Sequence, residues 1–351
     1  MSAGGNILSI YDLHTSFTVG RQIVRAVDGV SFDVRRGKTL GLVGESGCGK
    51  SVTAHSVMRL LPKAGTSTGK IIFRPEGGNE ADLLAIKKRE LRSVRGKKIS
   101  MIFQDPMSSL NPVYNVGDQI IENIQTHENV SRSEARDRTV KMLETLSIPK
   151  AADRMKDYPH QFSGGMKQRV MIAMGLICDP ELLIADEPTT ALDVTIQAQI
   201  LELIRSLQEK FNFTVILITH NMGIVADIAD DIAVMYMGKI VEFGTKEDIF
   251  LRPAHPYTQA LLKSVPVLGN QGKKLLEPIR GNTPDPSEMP PGCAFAPRCD
   301  YCKNECKAQP VEVELPLGVN LPLEVKLPAE NEENTQPNHR VRCFLYGENN
   351  E

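Results

Sequence analysis

An α/β fold organised around a phosphate-binding loop is the architecture that this sequence predicts. Three observations carry it. The run Gly44-Glu45-Ser46-Gly47-Cys48-Gly49-Lys50-Ser51 fits G-x-x-x-x-G-K-[ST], and it stands between an apolar run at 39–43 and a helical pattern at 52–61. Three more short apolar runs end in polar side chains: 100–103 before Gln104, 182–185 before Asp186-Glu187, and 215–219 before His220. Helical patterns, at 105–169 and 194–210 among others, separate these runs, as in a sheet covered by helices.

The loop comes first because its chemistry is the most specific. Glycines let backbone N–H groups point inward at phosphate oxygens where a side chain would clash. The following helix, opening through Lys50, Ser51 and Val52, adds its positive amino end. Lys50 suits the β- and γ-phosphates of a nucleotide, and the Ser51 hydroxyl suits Mg²⁺. Cys48 has two readings. It is a thiolate redox switch, favoured by the helix end and Lys50, or simply a small residue.

Each of the other strand ends then gains a role. Asp186 is placed to hold Mg²⁺, and Glu187 to polarise the attacking water as general base. His220 suits a γ-phosphate sensor. Gln104 can couple Mg²⁺ or the water to the segment after it. Asp193, in Ala191-Leu192-Asp193, reads as a helix N-cap or as a contact to a second subunit.

In this order the elements resemble an ATP-binding-cassette (ABC) ATPase. The resemblance adds a signature element at Phe162-Ser163-Gly164-Gly165-Met166, where Met166 replaces the commoner Gln. It implies that Ser163, Gly164 and Gly165 open a helix facing the nucleotide of a neighbouring subunit. It also implies an N-terminal antiparallel β-subdomain whose aromatic stacks on adenine. Phe17 is the best match, with a core role as its rival. A helical subdomain at about 105–170 would receive coupling helices of transmembrane subunits.

Several stretches narrow the resemblance to ATPases of dipeptide and oligopeptide importers: 26–32, Phe103-Gln104-Asp105-Pro106-Met107, 158–166, 186–201 and His255-Pro256-Tyr257-Thr258. Nickel-importer ATPases share much of this pattern and are the alternative. The implied protein is a cytoplasmic, peripheral membrane ATPase. It pairs with a related ATPase subunit, drives two transmembrane permease subunits, and serves an extracellular peptide-binding protein. Two rivals are a module that binds ATP without hydrolysing it, supported only by Met166, and an ATPase under redox control.

Composition agrees. With 351 residues the chain exceeds one average domain. We expect an ATPase domain at 5–250 and a small, loop-rich, proline-rich domain at 251–351. Net charge −2, with both signs mixed, leaves no basic footprint for nucleic acid. DNA-repair members carry long coiled coils and translation members carry two cassettes; neither pattern occurs. No apolar run reaches the roughly 20 residues of a membrane span. The start lacks a charged-then-apolar secretion signal.

Five of the 7 cysteines, Cys293, Cys299, Cys302, Cys306 and Cys343, lie near the C-terminus. Short thiolate spacing suits a metal. The resemblance implies a [4Fe–4S] cluster on Cys293, Cys299, Cys306 and Cys343, with Cys302 as a competitor for the third position. Zinc is the alternative. A near-repeat at 315–320 and 321–326 reads as an extended hairpin or a loose insertion.

Overall fold

The computed structural model describes residues 5–105, 109–190, 192–264, 278–315 and 339–346. Most of the near-repeat and the rest of the 316–338 segment lie outside these residues, as do Pro106, Met107 and Ala191. The chain divides into two compact units, one of Met1–Leu8, Val34–Thr39 and Ile72–Ile218, the other of Ser9–Asp33, Leu40–Ile71 and Thr219–Glu351.

The first unit is a parallel sheet with helices. Strand Ile99–Ile102 pairs with Leu182–Asp186, which pairs with Thr214–Thr219. Each strand is buried along its whole length, as continuous rather than alternating apolar runs require. Helices Val116–His127 and Arg132–Thr145 lie within the stretch expected to be helical, and the N-caps Asn115 and Ser131 start them. In Val194–Phe211 the residues Ile200, Ile204 and Leu207 are buried on one stripe, and Asn212 ends the helix in the left-handed conformation.

The second unit holds most of the N-terminal β-structure. Strands Asn6–Val19 and Gln22–Arg35 meet at a two-residue turn whose Gly20 has φ +62°. Such a connection makes the pair an antiparallel hairpin. Elsewhere in this unit Leu40–Val43 runs parallel to Asp231–Val234, and Lys239–Thr245 pairs antiparallel with Asp231–Tyr236. Arg340–Val341 adds beside Glu242 and Phe243, and Val313–Glu314 adds beside Arg340–Val341. The C-terminal stretch is therefore partly strand, on a sheet that begins with the residues leading into the phosphate loop. A buried carboxylate anchors it. Glu242 accepts from the Ala254 and His255 amides at 2.7 and 2.8 Å and pairs with His339 Nε2 at 2.8 Å. The aromatic rings of Tyr236, Tyr257 and Phe295 pack together below.

Among the described residues no helix is long and apolar enough to cross a membrane.

Candidate active site

In the second unit the loop 44–51 takes the shape that its glycines permit. Gly44, Gly47 and Gly49 have φ +154°, +81° and +108°. A Cβ on Gly44 would stand 2.1 Å from the Met235 carbonyl oxygen, and one on Gly49 2.4 Å from that of Ala26. Close backbone approach thus excludes side chains at both positions. Helix Lys50–Val57 follows, with Ser51 and Val52 in its first turn. Lys50 is buried, and its ammonium donates to the Gly44 and Glu45 carbonyls at 2.8 and 2.9 Å. Phosphate oxygens can replace these two acceptors. Ser46 and Gly47 are exposed at the loop's crest.

Cys48 is buried, with Lys50 Nζ 3.7 Å from its sulfur. Burial pushes the thiol up in spite of the lysine's charge. That favours the small-residue reading over the thiolate switch. Phe17 is half-buried, and a Cβ on Gly65 would lie 2.8 Å from its ring, so part of the ring covers a glycine of the neighbouring strand. His220 is exposed directly after strand Thr214–Thr219, next to Asn221, which caps helix Met222–Ile228.

The first unit carries the carboxylates. Asp186 is buried as the last residue of its strand. Glu187 turns sharply, with φ +45°, a left-handed value rare for a residue with a side chain. Its amide donates to the Ile218 carbonyl at 2.9 Å. Gln104 Nε2 and Thr190 Oγ1 both donate to Glu187 Oε2 at 2.8 Å. Backbone strain held by neighbouring contacts is characteristic of functional sites. Gln104 and Glu187, predicted separately, are thus in direct contact. Helix Gly164–Leu176 begins at Ser163, whose hydroxyl accepts from the Met166 amide at 3.4 Å. A Cβ on Gly165 would stand 2.8 Å from Ile196, so this glycine permits close helix packing. Asp193 is the N-cap of Val194–Phe211 and accepts from the Ile196 amide at 2.9 Å.

The expectation of an iron–sulfur cluster, or of zinc in its place, is corrected here. Among the described residues no group of three or more His, Cys, Asp or Glu side chains stands where it could hold a metal ion. Cys293, Cys299, Cys306 and Cys343 do border one cavity, but their sulfurs serve local needs. Cys299 Sγ accepts from the Tyr301 amide at 3.4 Å, and Cys306 Sγ from the Lys303 amide at 3.5 Å. Burial pushes the Cys299 thiol up to about 11 and the Cys343 thiol up to about 12. A Mg²⁺ ion is a different case. It is held largely by nucleotide phosphates and water, and the glycine cradle, the buried Lys50 and the Ser51 hydroxyl suit a nucleotide that carries it.

Sequence reasoning missed three contacts at these sites. Thr190 sits three residues after Glu187, close enough to have been suspected. Tyr257 Oη accepts from the Glu45 amide at 2.9 Å, and Arg298 grips the Glu45 carboxylate at 2.6 and 3.0 Å. Arg298 and Glu45 are 253 positions apart in sequence, and no local pattern marks that pair.

Comparison with known proteins agrees with this geometry. The ABC transporter family profile matches residues 27–190, and that of the oligopeptide/dipeptide transporter C-terminal region matches 241–306. The dipeptide transport ATP-binding protein DppD of Bacillus subtilis is 54% identical over 84% of this chain and 86% of its own length. The oligopeptide transport ATP-binding protein OppD of Salmonella typhimurium is 48% identical over 88% of this chain and 91% of its own. Among solved structures, the ATP-binding cassette MJ0796 bound to ADP and Pi superposes with a TM-score of 0.60 at 24% identity, covering 68% of this chain and 98% of that one. At that identity it supports the fold alone. With the phosphate loop, the Asp186-Glu187 strand end and the Ser163-capped helix in place, the chain belongs to the ABC transporter family, among its dipeptide and oligopeptide transport ATP-binding proteins.

Proposed function

We propose that this chain is the ATP-hydrolysing subunit of an ABC importer of dipeptides and oligopeptides. The observation that carries this reading is close identity, over most of the chain, to proteins named for dipeptide and oligopeptide transport. Those names favour peptides over the nickel alternative. The chain works at the cytoplasmic face of the membrane as a peripheral subunit, as such relatives imply.

The roles of individual residues extend that reading. Lys50 and the amides of 46–51 hold the phosphates, Ser51, Gln104 and Asp186 serve Mg²⁺, and Phe17 packs against adenine. Bound Mg²⁺ neutralises phosphate charge. Glu187 accepts a proton from the attacking water, and Gln104 and Thr190, already donating to it, set the orientation of its carboxylate. His220 senses the γ-phosphate. Ser163, Gly164, Gly165 and Met166, with Asp193, face the nucleotide of a related ATPase subunit, so that ATP closes the pair and hydrolysis opens it. The ATPase domain spans 5–250 and the remainder follows it.

Two transmembrane subunits receive that motion, fed by an extracellular peptide-binding protein. In the first unit a cavity of about 350 Å³, lined by Met101, Phe103, Gln119, Glu122 and Met174, adjoins Gln104 in sequence and suits a short docking helix. Glu187→Gln tests the reading in the assembled transporter. ATP binding should persist while hydrolysis and peptide uptake are both lost. Uptake that continues without hydrolysis by this chain would refute it.

A further inference from the structure

The phosphate loop carries an acid, Glu45, and the C-terminal segment answers it. Arg298 Nη1 and Nη2 donate to the two oxygens of Glu45 at 2.6 and 3.0 Å. This is the paired fork geometry of the strongest arginine–carboxylate contacts. Thr283 Oγ1 donates to the same carboxylate at 3.0 Å.

Arg298 is itself locked in place. Its side chain is 4% exposed. Nε donates to the Arg280 carbonyl at 2.9 Å, and Nη1 also reaches Tyr236 Oη at 3.3 Å. The guanidinium lies 5.9 Å from the ring centres of both Tyr236 and Phe295. A buried cation with this many partners is built for a purpose beyond solubility. Burial opposes the charge on Glu45, yet the Arg298 hydrogen bonds and charge outweigh it and hold the carboxyl below the usual range. The acid is therefore ionised.

The main chain of Glu45 belongs to the phosphate cradle. Its carbonyl accepts from Lys50, and its amide is held by Tyr257. An ionised carboxylate on that residue would repel a triphosphate arriving in the loop, and at such short range the repulsion is worth about tenfold in affinity or more. We propose that Arg298 is a positioning residue for ATP: it takes the Glu45 carboxylate in a two-pronged grip, neutralises it and sets the phosphate loop, so that the C-terminal segment tunes nucleotide affinity.

The test compares MgATP binding, and KM against kcat for hydrolysis, in full-length Arg298→Gln, Glu45→Gln and the double variant. Arg298→Gln should weaken MgATP binding about tenfold and raise KM, with kcat changed less than threefold. Glu45→Gln removes the repelling charge and leaves the Arg298 cation in place, so it should bind MgATP at least twofold more tightly than the parent. The double variant should bind at least fivefold more tightly than Arg298→Gln alone. A merely structural clamp predicts no such rescue. A double variant as weak as Arg298→Gln, or an Arg298→Gln protein that binds as the parent does, overturns the proposal. If Arg298→Gln does not fold, Glu45→Gln decides alone, and binding less than twofold tighter than the parent's overturns the proposal.

Discussion

Two glycine- and cysteine-bearing turns, the phosphate loop at 44–51 and the cysteine segment at 293–306, both suggest a bound group in sequence and fold to different outcomes. In the first, the constraint is on the backbone. Gly44 and Gly49 face carbonyl oxygens at distances no Cβ tolerates, so the motif and its shape are nearly one statement. In the second, the constraint is on the convergence of side chains. Residues 293–306 must meet Cys343 at metal-binding distances, and the sulfurs instead satisfy amides of their own turns. A cradle of N–H groups is local and can be read locally. A ligand set is a tertiary property.

The largest effect that would sharpen this contrast lies at the carboxylate end of the site. Glu187→Gln should lower ATP turnover by about 10²–10⁴-fold while MgATP still binds, measured by phosphate release and by equilibrium binding. Unchanged turnover would remove Glu187 as the base. Next, Lys50→Ala should weaken MgATP binding by roughly one to two orders of magnitude, the worth of hydrogen bonds to charged groups. In Gly49→Ala the Cβ has no space, and the φ of +108° disfavours any side chain. A stability loss of about 1–3 kcal/mol, together with impaired nucleotide binding, is expected in denaturant titrations.

The C-terminal side should respond to acid as well. His255 is fully buried, and burial holds its pKa down at about 3 from an unfolded value of 6.5. Its Nδ1 accepts from the Tyr257 amide at 3.0 Å, a role that protonation would end. The unfolded chain therefore binds the extra proton between these values, so stability falls as pH drops through that window. Between pH 7 and 5 the melting temperature should fall by a few degrees. His255→Asn, which can still cap the helix, should lessen that dependence by roughly 1.4 kcal/mol per pH unit below 6.5. A variant with the same slope as the parent would exclude this origin. The smallest effect belongs to Cys302, which is exposed. Cys302→Ser should change stability by less than about 0.5 kcal/mol and leave turnover alone; a larger change would give this thiol a role that its surroundings do not explain.

The parts of the site that were legible share a physical basis. Strand 182–186 announces itself by five consecutive buried positions, and its acidic end follows from where such a strand must stop. Ser163 and Asp193 are short polar side chains placed where helices begin. Gln104 and Glu187 were read separately, each at a strand end, and the structure joins their side chains because parallel neighbours bring their carboxyl ends to one edge.

By itself the sequence determined what depends on neighbours a few residues away: the glycine cradle, the lysine and serine that follow it, the buried parallel strands, the helix caps and, through them, the family. Only the tertiary structure decided what depends on distant residues. It turned the cysteine sulfurs to nearby amides and laid Arg340–Val341 beside Glu242 and Phe243. It also brought Arg298 to Glu45 across 253 residues of chain. Short-range preferences are written in the order of residues. Long-range pairings are settled by which buried charge finds a partner when the chain packs, and no local pattern encodes that.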